Sequence, residues 1–439
     1  MKRITLLLLT ALALSVSCTK DTGKDDPVDP KPVLEPGNSI VIYEANERLF
    51  SKSGAFKDIE GSLDRISGLG VNVLWLMPVQ PQGVKDAIGS PYCIRNYKEV
   101  NPDYGTPEEL KSLIRSAHSK GMKVILDWIA NHTSWDNVWI TQHPEWYTQE
   151  GGKIISPKNM GWNDVADLNF SNKDLRAAMT DAMLYWVKEA DVDGFRCDYT
   201  DGVPADYWKE CFQTLRAAKK DLLLLGESKD TKYYDSGFDL LYAWDYASRL
   251  PKVYSGNMTV SNLFDCVKSE GDKRMRYTRN HDTASENSAS SLYKSVDGEI
   301  SAFALTAFLG GVPMIYSSQE AGYNNKINFF NWVTVDWNAG KSVTEKYSKL
   351  VGAYLSGASV RCGAPSVSSS DGVAIIRYKG NNGENLYVLV NTKGSPAKIK
   401  TNMDFAGSAA TDLLEKKDLT LPSSIELPSY GYAVYKIKL

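Results

Sequence analysis

The sequence has no surplus of charge of either sign: 50 Lys and Arg stand against 53 Asp and Glu, a formal charge of −3. No basic field exists to hold nucleic acid. Only one long apolar run occurs, residues 6–14 near the N-terminus, broken once by Thr10, so a multi-span membrane protein is excluded. Cysteine is sparse. Cys18, Cys93, Cys197, Cys211, Cys266 and Cys362 form no C-x-x-C pair and no Cys/His spacing suited to zinc. With Cys18 set aside, the number left is odd, so the thiols read mostly as free side chains filling space. No G-x-G-x-x-G follows the first apolar strand, which argues against a doubly wound dinucleotide fold, and no repeat of fixed period is present. What is there is an ordinary globular balance, 43% hydrophobic and 23% charged, which rules out whole-chain disorder. The 11 Trp and 24 Tyr supply either a large core or flat surfaces on which rings such as sugars stack, and composition does not choose between them.

The N-terminus reads as a targeting segment. Lys2 and Arg3 precede the apolar run, which is too short to span a bilayer. The run closes on Leu14-Ser15-Val16-Ser17-Cys18, and this resembles a bacterial lipoprotein signal, in which the cysteine becomes the lipidated N-terminus. Val16 is bulky for that box; the alternative is plain secretion with cleavage after Ala13. Residues 1–17 are therefore expected to be a signal peptide. Residues 18–38 carry Pro27, Pro30, Pro32 and Pro36 among Asp, Lys and Gly, and read as an extended tether.

Residues 39–360 alternate short apolar runs with amphipathic stretches. The runs are 39–44 (SIVIYE), 71–78 (VNVLWLMP), 123–127 (KVILD), 193–198 (DGFRCD), 221–227 (DLLLLGE), 238–244 (FDLLYAW), 275–280 (MRYTRN) and 312–317 (VPMIYS). Near-continuous apolar strands separated by helices predict a parallel sheet covered on its outside. Helices are expected over 107–120, capped by Thr106 and stopped by Gly121, and over 173–190 and 299–309. Eight such units predict a (β/α)₈ barrel, with residues 131–170 as a short excursion after the third strand. Past residue 361, alternating segments separated by turn residues predict a C-terminal antiparallel β-sandwich, 361–439.

In such a barrel, chemistry sits at the C-terminal ends of the strands. Those ends carry Asp127 with Asn131 and His132, Arg196 with Asp198, Glu227, and Asn280-His281-Asp282. Two of only four histidines fall here. A single strand-end acid is commonly a helix cap, but so many charges converging on one rim are costly to bury without a task. Carboxyls without a metal-ligand pattern point to glycoside cleavage, which needs a carboxylate nucleophile and a carboxylic acid to protonate the leaving oxygen. Asp198, beside Arg196, is expected to stay ionised and act as nucleophile. Glu227, with fewer basic neighbours in sequence, is expected to hold a proton as the acid. Asp282 and His281 are expected to hold the sugar and favour its oxocarbenium-like transition state.

Four segments resemble, in order, the motifs of the α-amylase family, family 13 of the glycoside hydrolases: DWIANH at 127–132, GFRCD at 194–198, GES at 226–228 and NHD at 280–282. The resemblance covers about residues 40–340. It implies Asp198 as nucleophile, Glu227 as acid/base, Asp282 as transition-state stabiliser and Arg196 as the arginine orienting the nucleophile. It implies His132 and His281 as contacts to sugar hydroxyls and Tyr92 as the aromatic stacked on that sugar; a core tyrosine is the lesser alternative for Tyr92. The implied substrate is an α-1,4-linked glucan or maltooligosaccharide. The chain departs from the family at Asp201-Gly202, where many members have Lys-His and where the histidine helps hold calcium. Asn131 and Asp167 still match calcium-ligand positions, although Asn131 also suits a structural hydrogen-bonding role. No cofactor is needed for the chemistry itself.

Overall fold

The computed structural model describes residues 39–271, 273–361, 363–380 and 383–438. The expected signal peptide and tether, with Cys18, lie outside the described residues. Eight parallel strands close into a barrel: β1 (Ile42–Ala45), β2 (Val73–Leu76), β3 (Lys123–Trp128), β4 (Gly194–Cys197), β5 (Leu223–Gly226), β6 (Leu240–Tyr242), β7 (Arg274–Tyr277) and β8 (Val312–Tyr316). Each strand pairs with its sequence neighbours, and β8 returns to pair with β1 through Ile42↔Met314. Every expected apolar run contributes one strand. Their residues are buried almost throughout, which is why the runs are continuous rather than alternating.

The helices follow from local chemistry. In Pro107–Ser119, the Thr106 side chain accepts from the Glu109 N–H while Glu109 reaches back to Thr106, and proline opens the helix. Its apolar stripe, Leu110, Leu113, Ile114 and Ala117, faces the barrel. Burying one such leucine contributes roughly 1.5–3 kcal/mol. Helix Val296–Phe308 starts a turn earlier than its apolar pattern suggests, because Ser295 caps it. It is buried on every side. The C-terminal sheet covers what would otherwise be its outer face: Ser301 donates to Asn391 O and the Tyr378 hydroxyl to Phe308 O.

That C-terminal region is a six-stranded antiparallel sheet with a two-stranded ribbon, Ala397–Lys400 and Ser424–Leu427. Strand Glu384–Asn391 shows how the layers form. Leu386, Val388 and Val390 join the barrel core, whereas Tyr387 and Leu389 point the other way and pack with Ile399, Ile425 and Leu427. The excursion after β3 returns as a small ribbon in which His132 pairs with Asp167. Cys93, Cys197, Cys211 and Cys266 are buried free thiols.

Candidate active site

Barrel register builds the site. Asp127 on β3 lies opposite Arg196 on β4, and Cys197 opposite Gly226 on β5. This sets Arg196, Asp198 and Glu227 side by side although they come from two different strands. Arg196 is fully buried. Its Nη1 donates at 2.8 Å to both Asp127 Oδ1 and Asp198 Oδ1, and its Nε donates to the Tyr242 hydroxyl at 3.1 Å. Nη2 lies 2.8 Å from Glu227 Oε2 as an ion pair, although its N–H is not aimed at that oxygen. The rings of Trp75, Tyr92 and Tyr242 surround the guanidinium at 5.2–5.7 Å.

One buried arginine thus faces three carboxyls. The expectation that Glu227 has few basic neighbours fails in space, since Arg196 touches it as closely as it touches Asp198. Glu227 is nevertheless the group pushed up, to about 8: burial is the first cause, Arg196 opposes it, and the charges of Asp198 and Asp282 add to it. Burial also moves Asp198 upward while Arg196 pulls it back, so the arginine does not by itself settle its charge. A single cation cannot neutralise the whole cluster, and a proton at Glu227 relieves the surplus. Glu227 Oε2 accepts the backbone N–H of Tyr199 at 2.8 Å. Tyr199 holds the left-handed conformation, φ 36° and ψ 56°.

His281 follows Asn280, whose side chain caps the short helix His281–Glu286. Its Nδ1 lies 2.5 Å from Glu44 Oε1, and its Nε2 lies 2.9 Å from the Tyr92 hydroxyl and 3.4 Å from Asp282 Oδ1. The Tyr92 hydroxyl donates to Asp127 Oδ2 at 3.0 Å, and its ring stacks on His281 at 5.2 Å. Burial disfavours the imidazolium, yet Asp282 and Glu44 outweigh it and raise His281 to about 9. His132 behaves oppositely: burial lowers it to about 4. Of the two histidines lining the cavity, the surroundings thus favour the cation at His281 and the neutral ring at His132. Asp282 is the most open of the acids, its side chain 45% exposed.

These groups meet at a cavity of about 280 Å³. Tyr92, His132, Asp198, Glu227, His281 and Asp282 all line it, with Arg196 beneath. Sequence reasoning missed other walls: Ile88, Trp162, Tyr199, Phe329 and Phe330. These come from loops with no periodicity to announce them. It also missed Glu44, whose signal was the same as that of the other acids, a carboxylate at the end of an apolar strand.

The two calcium-ligand candidates, Asn131 and Asp167, each have close protein neighbours. The Asn131 amide oxygen abuts Gly202, where a Cβ would collide with it, and Nδ2 is 3.3 Å from His132 Nδ1. Asp167 has Thr148 and Lys158 as its neighbours. Among the described residues, no three His, Cys, Asp or Glu side chains group to hold a metal; amide and backbone carbonyl oxygens, which calcium also takes, are outside that set.

A parallel (β/α)₈ barrel with an arginine-bridged carboxyl cluster opening into a cavity at its strand ends has the build of a barrel enzyme. Residues 36–161 and 158–350 match the family described as alpha amylase, catalytic domain, and the chain belongs to that family. Alpha-amylase 3 of Dictyoglomus thermophilum is 27% identical over 331 residues, 65% of this chain and 64% of that protein. The chain spans between half and two thirds of the length of the first curated relatives it matches. A noncanonic maltogenic alpha-amylase from Thermotoga neapolitana has a TM-score of 0.81 at 25% identity, over 91% of this chain and 99% of that one. An alpha-amylase from Lactobacillus plantarum gives 0.80 at 29%, over 91% and 98%.

Proposed function

We propose that this chain is a retaining α-glycoside hydrolase acting on α-1,4-linked glucans or maltooligosaccharides. The observation that carries the reading is the shared grip of Arg196 on Asp198 and Glu227 while burial and like charges leave Glu227 the protonated member. In the first step, an Asp198 oxygen bonds to the anomeric carbon as the glycosidic C–O bond breaks, and Glu227 passes its proton to the departing oxygen. In the second, Glu227 takes a proton from water, whose oxygen displaces Asp198 and frees the sugar. Asp282 faces the developing positive charge. His132, His281 and Tyr92 hold the ring, with Arg196 fixing the nucleophile. The chemistry draws on no cofactor.

The test is product analysis on starch and on short maltooligosaccharides, with the fresh anomer read by NMR. Fresh β-anomer refutes retention. No product from any glucan leaves a non-catalytic glycan-binding protein. The same profile separates mid-chain hydrolysis from exo-acting release, from glucan transfer, and from a maltogenic pattern, the word carried in the name of the Thermotoga relative. The reading extends to location on sequence grounds alone: residues 2–18 support export and lipid anchoring at Cys18, in the periplasm or at the cell surface. Cys18→Ala then releases active protein to the soluble fraction or blocks its processing. Unlipidated wild-type protein cleaved after Ala13 overturns the anchor.

A further inference from the structure

Glu44 is unlike the other acids of the site. It stands one residue before the end of β1, is fully buried and does not line the cavity. Its side chain has one hydrogen-bond partner, His281 Nδ1, and Oε2 has none among the described residues. A buried carboxylate supported by a single contact is costly unless that contact is strongly charge-assisted.

Counting protons shows what the contact does. The Tyr92 hydroxyl has one proton and two neighbours, Asp127 Oδ2 at 3.0 Å and His281 Nε2 at 2.9 Å. Asp127 is a buried acid held by Arg196, and the tyrosine proton belongs with it. Nε2 then donates to the tyrosine oxygen. Burial pushes the Glu44 carboxyl up while His281 and Arg196 pull it back; with Glu44 as the acceptor Nδ1 donates to it, and the ring carries both protons. We propose that Glu44 is a positioning residue that keeps His281 doubly protonated, making its Nε2–H a fixed donor at the floor of the cavity. This rests on the hydrolase reading only in that a bound sugar then meets a fixed imidazolium–tyrosine pair.

The surroundings of His281 agree. Glu44 faces it from β1 and Asp282 from its own helix; Asp127 acts at longer range from β3; Tyr92 stacks on it. Arg196 from β4 is the opposing cation, and Trp75 and Phe329 present apolar ring edges. Two close carboxylates outweigh one arginine. His132, walled mostly by burial, goes the other way, to about 4.

The experiment is a nitrogen-15 NMR titration of the full chain labelled at its four histidines, with Glu44→Gln as the variant. Gln keeps an acceptor at Nδ1 and removes the charge. In the wild type, both His281 nitrogens are protonated at pH 7.5. In Glu44→Gln the midpoint falls by roughly one unit or more. Glu44→Asp, which keeps the charge, restores most of the shift and serves if Gln does not fold. On maltooligosaccharides, the loss of kcat/KM in Glu44→Gln is greatest at pH 7.5 and shrinks at pH 5.5, where the ring regains its proton. A neutral His281 in the wild type, an unmoved midpoint in Glu44→Gln, or an activity loss equal at both pH values overturns the proposal. The titration needs no turnover, so an inactive wild type would sink the hydrolase reading and leave the Glu44–His281 pair standing.

Discussion

Replacing Glu227 with glutamine should make the protein more stable above pH 8 while abolishing its activity. In the fold, the Glu227 carboxyl is raised from 4.5 to about 8. A group raised in this way contributes stability that is complete below its unfolded value and drains as pH climbs through its folded one. Fully ionising Glu227 in place therefore costs up to roughly 5 kcal/mol. Its side chain is only 15% exposed, so solvent relieves little of this, but Asp198 shares the proton balance with it and reduces the net cost to about 2–4 kcal/mol. Glutamine carries no such charge, and its amide oxygen still accepts the Tyr199 N–H. Arg196 keeps Asp127 and Asp198. Denaturant unfolding of both proteins at pH 4.5 and pH 9 reads the difference: near zero at the lower value, about 2–4 kcal/mol in favour of Glu227→Gln at the higher. In the wild type, the alkaline limb of kcat/KM should fall near pH 8, as the acid loses its proton. A variant no more stable than wild type at pH 9 refutes the argument that Glu227 holds the cluster's surplus proton.

Asp198→Asn should fold and lose at least about 10³-fold in kcat, since shape is kept and the nucleophile removed; circular dichroism with turnover assays checks both halves, and substantial residual rate overturns the assignment. Arg196→Lys should cost about 3–5 kcal/mol in stability, because one ammonium cannot replace contacts to Asp127, Asp198 and Tyr242 and leaves buried charge unpaired; an unchanged melting curve counts against it. Chelator should move the melting temperature little. Loss of an ion held at a hundredfold excess over its Kd would remove about 2.7 kcal/mol, so a fall of many degrees in EDTA would show that Asn131 and Asp167 do hold calcium.

The barrel was legible because parallel strands buried on both faces leave unbroken apolar runs, and because acids and histidines stand where those runs stop. What resisted reading was adjacency across strands. Arg196 and Glu227 are far apart in the chain, yet the β4–β5 register brings them into contact, so the count of basic neighbours along the sequence was the wrong reason for Glu227's raised carboxyl, which burial supplies instead. Glu44 was legible in principle and passed over in SIVIYE. The walls were not: Phe329 and Phe330 sit on a loop after β8 that Arg48 holds by donating to both of their carbonyls and to Gly89 O. Nothing in the pattern of that loop marks which side chains turn inward.

The departure at residues 201–202 is explained by the same geometry that places the acid. Tyr199, a non-glycine residue in the left-handed region, carries strain of roughly 1–3 kcal/mol. Several contacts hold it there. Its N–H donates to Glu227, its ring meets the edge of Trp162, and its hydroxyl is 3.6 Å from Met160 Sδ. Gly202 completes the arrangement, since a Cβ there would strike both the Tyr199 ring and the Asn131 amide oxygen. Asp201 then accepts the Ser228 hydroxyl at 2.8 Å. The loop after β4 is thereby tied to the residue that follows Glu227. A side chain at 202 would push the tyrosine aside and with it the backbone donor on the acid. Asp201 and Gly202, where the chain departs from the motif it otherwise resembles, thus brace the loop that gives Glu227 its backbone donor and leave room for the Tyr199 ring.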